Sequence, residues 1–206
     1  MQFIDITHPH SNELAPWPGD TPFNFRLTAT MRAGSSCNIG ALTTSIHSGT
    51  HLDAPFHFDD AGVAIDAIPT ERFVGPARVF AAPGHDEIPR EVFAGLDGRA
   101  TPRVLVATGS CDDKTVFPRH VPTLAPGVAA WLGEQGVTLI GLDVPSVDKL
   151  DSKTLPIHHA LDAAGILILE NLDLRGVAPG TYELIALPLR IVGADGSPVR
   201  AVLVKG

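Results

Sequence analysis

Cysteine is scarce in this sequence. The chain of 206 residues has two, Cys37 and Cys111, which lie far apart and have no Cys-x-x-Cys partner. Disulfide frameworks and thiolate zinc sites both need more closely grouped cysteines, so neither is expected here. Any metal in this protein would therefore be bound by histidine and carboxylate side chains.

Positive charge is also limited. The 15 Lys and Arg residues stand against 23 Asp and Glu residues, which gives a formal net charge of -8 at pH 7. Nucleic-acid binding needs clustered basic side chains that neutralise phosphates, and here these side chains are spread over the chain. We therefore expect no nucleic-acid partner.

Targeting, membrane and nucleotide-binding patterns are missing as well. The N-terminus MQFIDITHPH has no basic region followed by a long apolar run, and no apolar window is long enough to cross a bilayer. The expected location is cytoplasmic, without membrane contact. No G-x-G-x-x-G follows a predicted strand and no Walker-type Gly-Lys-Ser/Thr occurs, which disfavours a nucleotide cofactor. Length and a hydrophobic content of 44% fit one domain, residues 1–206.

Short apolar runs predict many strands and few helices. The helices are predicted at 88–96, 125–136 and 156–165, the last two ending at a glycine. Because helices fall mainly between the later strands, the pattern indicates an α/β domain with a mixed-sheet or barrel-like core. Strands are predicted at 1–7, 23–31, 38–47, 73–82, 103–109, 137–144, 166–172, 183–193 and 199–205.

One short window, HSGTHLDAPFHF at 47–58, is rich in potential metal ligands: His47, His51, Asp53 and His57. His47 and His51 are four apart, as in helical metalloprotease sites. A helix is disfavoured here because Gly49 and Pro55 interrupt it, and no glutamate follows the first histidine. Polar loop residues that cluster by chance are the alternative, but four potential ligands in one loop indicate a function.

Extended structure explains this window better. His51 and Asp53 are two apart and would project from the same side of a strand or strand-like turn. Gly49 would let the backbone bend so that His47 converges with them, and Pro55 would fix the exit of the turn. Two histidines and an aspartate of this kind are suitable ligands for Zn²⁺ or Mn²⁺.

A second candidate group lies in LPIHHALDAAGILILENLDL. If 157–164 is helical and 166–171 is a strand, His158 or His159 lies on the helix and Glu170 lies within an apolar strand. A buried carboxylate is costly unless it is paired or bound to a metal. The alternative is a glutamate at a strand end that faces solvent.

The string H-x-G-T-H-x-D-x-P-x-H, present as HSGTHLDAPFH, resembles the signature of the metal-dependent cyclase-like hydrolases, which include bacterial kynurenine formamidases and isatin hydrolases. The resemblance covers essentially the whole chain, through PWPGDTPF, GLDVPSVDKLDSKTLPIHHAL and GILILENLDL. It implies a homodimer with a swivelling β/β/α core and two zinc ions per subunit. It is closest to members that hydrolyse N-formyl-L-kynurenine to L-kynurenine and formate in tryptophan degradation.

The resemblance also implies the metal ligands. His47, His51 and Asp53 would bind one zinc, and Asp53 and Glu170 would bridge both. A histidine of the adjacent pair would complete the second zinc site. We choose His158 because its twelve-residue spacing to Glu170 matches the family, although its neighbour remains an alternative.

Two further residues match functional positions of the family. His57 matches the catalytic acid/base, which would deliver a proton to the departing nitrogen after attack by a zinc-activated bridging hydroxide. Trp17 matches the aromatic residue that contacts the substrate. Its alternative role is to pack its loop against the domain or a dimer partner.

Two other interpretations stay open from the sequence alone. One is a related hydrolase that opens a cyclic amide such as isatin, with a single Mn²⁺. The other is a non-catalytic module that a metal stabilises. Structural zinc sites usually have four protein ligands, often thiolates, whereas this ligand set contains no thiolate and leaves positions for water.

Overall fold

The computed structural model describes residues 1–206. It contains thirteen strands, two α-helices and several short 3₁₀ turns. The strands are β1 (Gln2–Asp5), β2 (Asn24–Ala29), β3 (Ile39–Thr43), β4 (His51–Asp53), β5 (Val74–Ala81), β6 (Glu87–Ile88), β7 (Arg103–Ala107), β8 (Thr123–Leu124), β9 (Leu139–Leu142), β10 (Leu167–Glu170), β11 (Gly180–Ile185), β12 (Gly196–Pro198) and β13 (Val202–Lys205); the helices are α1 (Val128–Glu134) and α2 (Pro156–Ala163).

Nine strands form one mixed sheet in the order β1-β13-β11-β5-β7-β9-β10-β4-β12. The central strands β5, β7, β9 and β10 run parallel, and the strands on both sides pair antiparallel. The sheet curls into a half-barrel with two helices, which confirms the expected mixed α/β fold with few helices. β2 and β3 form a separate hairpin, and β6 pairs with β8.

Each face of the sheet covers its own apolar cluster. On β7, Val104 and Val106 point to the side where α1 and α2 pack, while Leu105 points to the opposite side. This alternation follows from the two-residue period of a strand. Because both faces are buried, β7, β9 and β10 are nearly continuous apolar runs, as expected for this kind of sheet.

All nine predicted strands overlap an observed strand, but the overlap of the one predicted at 183–193 is limited to 183–185. β11 begins earlier, at Gly180, and ends at Ile185. Pro188 has no backbone N–H and makes only an isolated bridge to Val199, so the ladder does not continue along this segment.

The helix predicted at 88–96 is wrong. Ile88 pairs with Leu124 in a short parallel ladder, and Pro89 is extended with φ -81° and ψ 163°. A single 3₁₀ turn, Arg90–Phe93, then buries Phe93. The segment thus buries Ile88 in a short strand and Phe93 in a single turn, without forming a helix. The other two predicted helices are confirmed as α1 and α2, and neither has the length and apolar character needed to cross a membrane.

Candidate metal centre

The pairing of β4 with β10 brings Glu170 to the histidine loop. Glu170 lies directly opposite His51 in the antiparallel ladder, and Leu52 lies opposite Leu169. Residues opposite each other share a face and neighbours alternate, so the two leucines enter the apolar cluster while His51, Asp53 and Glu170 share the other face. His51 Nε2 lies 3.3 Å from Asp53 Oδ1 and 3.5 Å from Glu170 Oε2.

His47 joins this group through a tight turn. Gly49 has φ +64°, and a side chain there would meet the ring of His10 at 2.8 Å. The turn places His47 Nδ1 2.9 Å from Asp53 Oδ1. Glycine is therefore needed at position 49 both for its backbone conformation and for space.

His158 reaches the group from the first turn of α2. Its Nε2 lies 3.6 Å from Asp53 Oδ2 and 3.9 Å from Glu170 Oε1. His159 is exposed and stands against Phe58, with ring centroids 5.5 Å apart. Of the adjacent histidines, the structure thus brings His158 to the cluster.

Asp148 fixes the orientation of His158, and the sequence analysis missed it. Its carboxylate accepts the Nδ1–H of His158 at 2.7 Å and the backbone N–H groups of Ile157 and His158 at 3.0 to 3.1 Å. Because Nδ1 donates to Asp148, Nε2 faces the carboxylates of the cluster and is the ring nitrogen left for a metal. The sequence indicates such a residue only as an acid in the loop before a helix that begins with proline. Asp143 and Asp151 also fit this description, so the sequence does not single out Asp148.

His51 is oriented in a similar way. Its Nδ1 donates to the backbone carbonyl of Gly49 at 2.8 Å, which leaves Nε2 to face the carboxylates. Metal-ligating histidines are usually held by a hydrogen bond from the other ring nitrogen. Both His51 and His158 show this arrangement.

His57 lies beside the cluster rather than inside it. It ends the 3₁₀ turn Pro55–His57, and its ring lies against that of His47 with centroids 3.9 Å apart and an interplanar angle of 34°. Asp195 lies next to both rings, with Oδ2 2.9 Å from His47 Nε2 and 3.8 Å from His57 Nδ1. Sequence reasoning also missed Asp195, because GADGSP has the composition of an ordinary turn.

The imidazoles of the cluster favour a positive charge. Burial would lower the pKa of His47, but hydrogen bonds to Asp195 and Asp53 raise it to about 9. Burial would also lower the pKa of His51 and His158, but their carboxylate partners raise it to about 10. A cation could replace these protons, since metal ligands must be deprotonated.

The two central carboxylates also fit a metal. Asp53 Oδ2 is buried and has no hydrogen-bond partner, which is unusual for a buried charged oxygen. Burial would raise the pKa of Asp53, but His158, His47 and His51 hold it well below its usual value. Burial and the charge of Asp53 raise the pKa of Glu170. Asp53 Oδ2, a buried carboxylate oxygen without a hydrogen-bond partner, is therefore a suitable metal ligand.

Donor atoms within 4.8 Å of one another form three groups; one combines His47 with His57 and Asp195, and the other two share Asp53. The structure therefore brings together all five predicted metal ligands. Of the two groups that share Asp53, one combines it with His47 and His51, and the other combines it with His158 and Glu170.

Trp17 lies at a pocket next to this cluster. It is 39% exposed and packs edge-on against Phe117, with ring centroids 5.1 Å apart. The pocket is also lined by His47, Lys114 and Asn171. Trp17 thus contacts a loop residue and borders the same pocket as a candidate ligand, which is compatible with both roles considered for it.

The curled mixed sheet and its buried imidazole and carboxylate cluster are features of a metal-dependent hydrolase. The model of the Cyclase family matches residues 4–149, and the chain belongs to this family. It is 46% identical over 202 residues to the kynurenine formamidase of Bacillus mycoides (strain KBAB4), covering 98% of this chain and 97% of that protein.

Solved structures agree with this assignment. A predicted metal-dependent hydrolase from Bacillus stearothermophilus superposes with a TM-score of 0.82 at 26% identity, covering 98% of this chain and 97% of the other. Isatin hydrolase A from Labrenzia aggregata gives a TM-score of 0.81 at 25% identity, covering 100% and 94%. The family relationship and the donor groups support a metal cofactor.

Proposed function

We propose that this protein is an arylformamidase that hydrolyses N-formyl-L-kynurenine to L-kynurenine and formate. The observation that carries the proposal is the position of Asp53, whose two oxygens face two different sets of ligands. The identity of 46% to a kynurenine formamidase over nearly the full chain supports the choice of substrate.

The cluster offers ligands for two zinc ions. His47, His51 and Asp53 would hold one ion, and Asp53, His158 and Glu170 the other. When bound, zinc supplies a Lewis acid for the formyl oxygen and lowers the pKa of coordinated water to about 7.

His57 is suited to move the proton that the reaction requires. Burial lowers the pKa of its imidazole, so the ring is largely neutral at pH 7. It can accept a proton as water adds to the formyl carbon and return it to the aryl nitrogen as the carbon–nitrogen bond breaks. Asp195, 3.8 Å from its Nδ1, would support the transient positive charge. Trp17, on the pocket wall, would stack on the aryl ring of the substrate.

The decisive experiment combines metal quantification with hydrolysis on one preparation. We expect two zinc ions per chain and turnover of N-formyl-L-kynurenine that a chelator abolishes while the far-UV circular dichroism is retained. Absence of hydrolysis by the fully loaded protein would contradict the proposal. Unfolding on metal removal, without any hydrolysis by the loaded protein, would instead identify a metal-stabilised module.

Hydrolysis of isatin is the second candidate function. It is favoured by the fold similarity to isatin hydrolase A, at 25% identity. The two substrates share an aryl nitrogen acyl bond but differ in whether that bond lies in a ring. If isatin is turned over with the higher kcat/KM, the second candidate replaces the first.

A homodimer in the cytoplasm completes the proposal. The β2–β3 hairpin exposes Phe25, Leu27 and Leu42, each by about half of its surface. Neighbouring exposed apolar residues are typical of protein interfaces. Sedimentation equilibrium should give twice the chain mass, and this mass should fall on Leu42→Asp substitution. A monomeric wild-type protein would contradict this part of the proposal.

A further inference from the structure

Lys114 is a partly buried cation without an anionic partner. Its Nζ donates to the backbone carbonyl of Asp143 at 2.7 Å and to Asn171 Oδ1 at 3.2 Å. Both acceptors are uncharged, and Lys114 takes part in none of the ion pairs of the structure. A lysine ammonium has three N–H groups, so one is left for another acceptor.

The nearest buried acid does not neutralise this charge. The carboxylate of Asp143 accepts the backbone N–H groups of Thr108 and Gly109, each at 2.8 Å, and the Thr108 hydroxyl at 2.6 Å. Its side-chain hydrogen bonds go to Thr108 and Gly109, and Lys114 bonds only its backbone carbonyl, so the nearby carboxylate attracts the ammonium without forming an ion pair with it. Burial lowers the pKa of Lys114, so an anion beside the ammonium would offset an existing desolvation cost.

Lys114 is also held next to the metal centre. It lines the same pocket as Trp17 and His47. Its partner Asn171 directly follows Glu170 and adopts a left-handed backbone conformation with φ 55°. The pocket is thus lined by a histidine of the cluster, a tryptophan and a lysine.

These three groups match three parts of one molecule: an amide, an aromatic ring and an anionic tail. We infer that Lys114 binds the carboxylate of the amino-acid tail of the substrate and selects anionic aryl formamides over neutral ones. This inference rests on the proposed arylformamidase function, and it adds a residue that determines specificity. Hydrogen bonds to charged groups contribute more to binding than hydrogen bonds between neutral groups.

The test compares two substrates that differ in one charge, N-formyl-L-kynurenine and its methyl ester. Lys114→Met should raise KM for the acid by about 10- to 100-fold and change KM for the ester by less than about threefold, with kcat nearly constant for both. Lys114→Gln keeps N–H donors without the charge, and it serves if the methionine variant is unstable. Lys153→Met, at an exposed position, is the matched control and should leave both substrates unaffected.

Equal losses for acid and ester, or no loss for either, would overturn the role of Lys114 while leaving the arylformamidase proposal intact. A wild-type enzyme that hydrolyses neither compound would overturn the proposed function, and the inference about Lys114 with it. Titration of the product L-kynurenine by calorimetry should show the same loss of affinity in Lys114→Met.

Discussion

Glu170 and His51 lie directly opposite each other on antiparallel strands, and their side chains approach to 3.5 Å on a buried face. They are separated by more than a hundred residues in sequence, so strand pairing alone creates the contact. A register shift of one residue would move Glu170 to the other face of the sheet. The register of the β4–β10 pairing therefore determines the geometry of the candidate metal centre.

Glu170→Gln should prevent binding of one of the two proposed metal ions. The amide keeps the size of the side chain but loses the charge that the second donor group supplies. We expect elemental analysis to find about one zinc per chain instead of two. Substrate turnover should fall by more than the factor of about 10 to 100 that typically follows loss of a ligand's hydrogen-bond partner. Glu183→Gln, on the exposed side of β11, is the control. Two metals with normal turnover in Glu170→Gln would exclude it as a ligand.

Asp148→Asn should weaken binding of the second proposed metal ion by releasing the ring of His158. An asparagine oxygen can accept the Nδ1–H, but it lacks the charge that holds the imidazole and the start of α2 together. Loss of such a partner typically costs about 10- to 100-fold in metal affinity or activity. Competitive zinc titration against a chelator measures this change, with the exposed Asp151→Asn as control. Unchanged affinity would show that Asp148 serves only as a helix cap.

How much of this site could be predicted depends on how local each contact is. His51 and Asp53 share a face because they are two apart, and Gly49 turns the chain next to them, so both features follow from the local sequence. Glu170 could be singled out because its strand is otherwise apolar. The pairing that joins it to His51 is set by the whole sheet.

Asp195 could not be predicted in the same way. It lies 148 positions from His47 along the chain and reaches it because β12 pairs with β4. β12 has three residues and contains a glycine and a proline, so it has no recognisable strand pattern. Contacts that depend on such short edge strands leave no periodic signal in the sequence.

His57→Ala should slow the reaction without loss of metal. Proton transfer by a positioned side chain is typically worth about 10² to 10⁴ in rate, so kcat should fall by that factor while elemental analysis still finds both metals. The exposed His85→Ala is the control. Turnover near the wild-type rate with both metals bound would exclude His57 from the proton transfer.

Trp17→Ala should affect aromatic substrates more than small ones. If the indole stacks on the aryl ring, KM for an aromatic formamide should rise by about tenfold, whereas KM for formamide itself should not change. Stacking pairs of this kind contribute about 0.5 to 1.5 kcal/mol beyond their buried area. Equal effects on both substrates would assign Trp17 to loop packing against Phe117 instead.

His8 should make the protein less stable in acid. It is buried, and its Nε2 donates to the carbonyl of Leu172 at 3.1 Å. Burial and the nearby charge of Lys114 lower the pKa of His8 from 6.5 to about 4. The unfolded chain therefore binds a proton between these values that the folded protein does not bind.

The direction of the effect follows from this difference. The contribution of neutral His8 to the free energy of unfolding is complete above pH 6.5 and falls as the pH drops towards 4, by at most about 1.4 kcal/mol per pH unit. Urea unfolding of wild type and His8→Gln between pH 7 and 4.5 measures it, because glutamine keeps an N–H donor and does not titrate. The variant should lose less stability than wild type over this range, whereas the exposed His85→Gln should follow the wild type. Parallel curves for wild type and His8→Gln would show that His8 takes up its proton equally in both states.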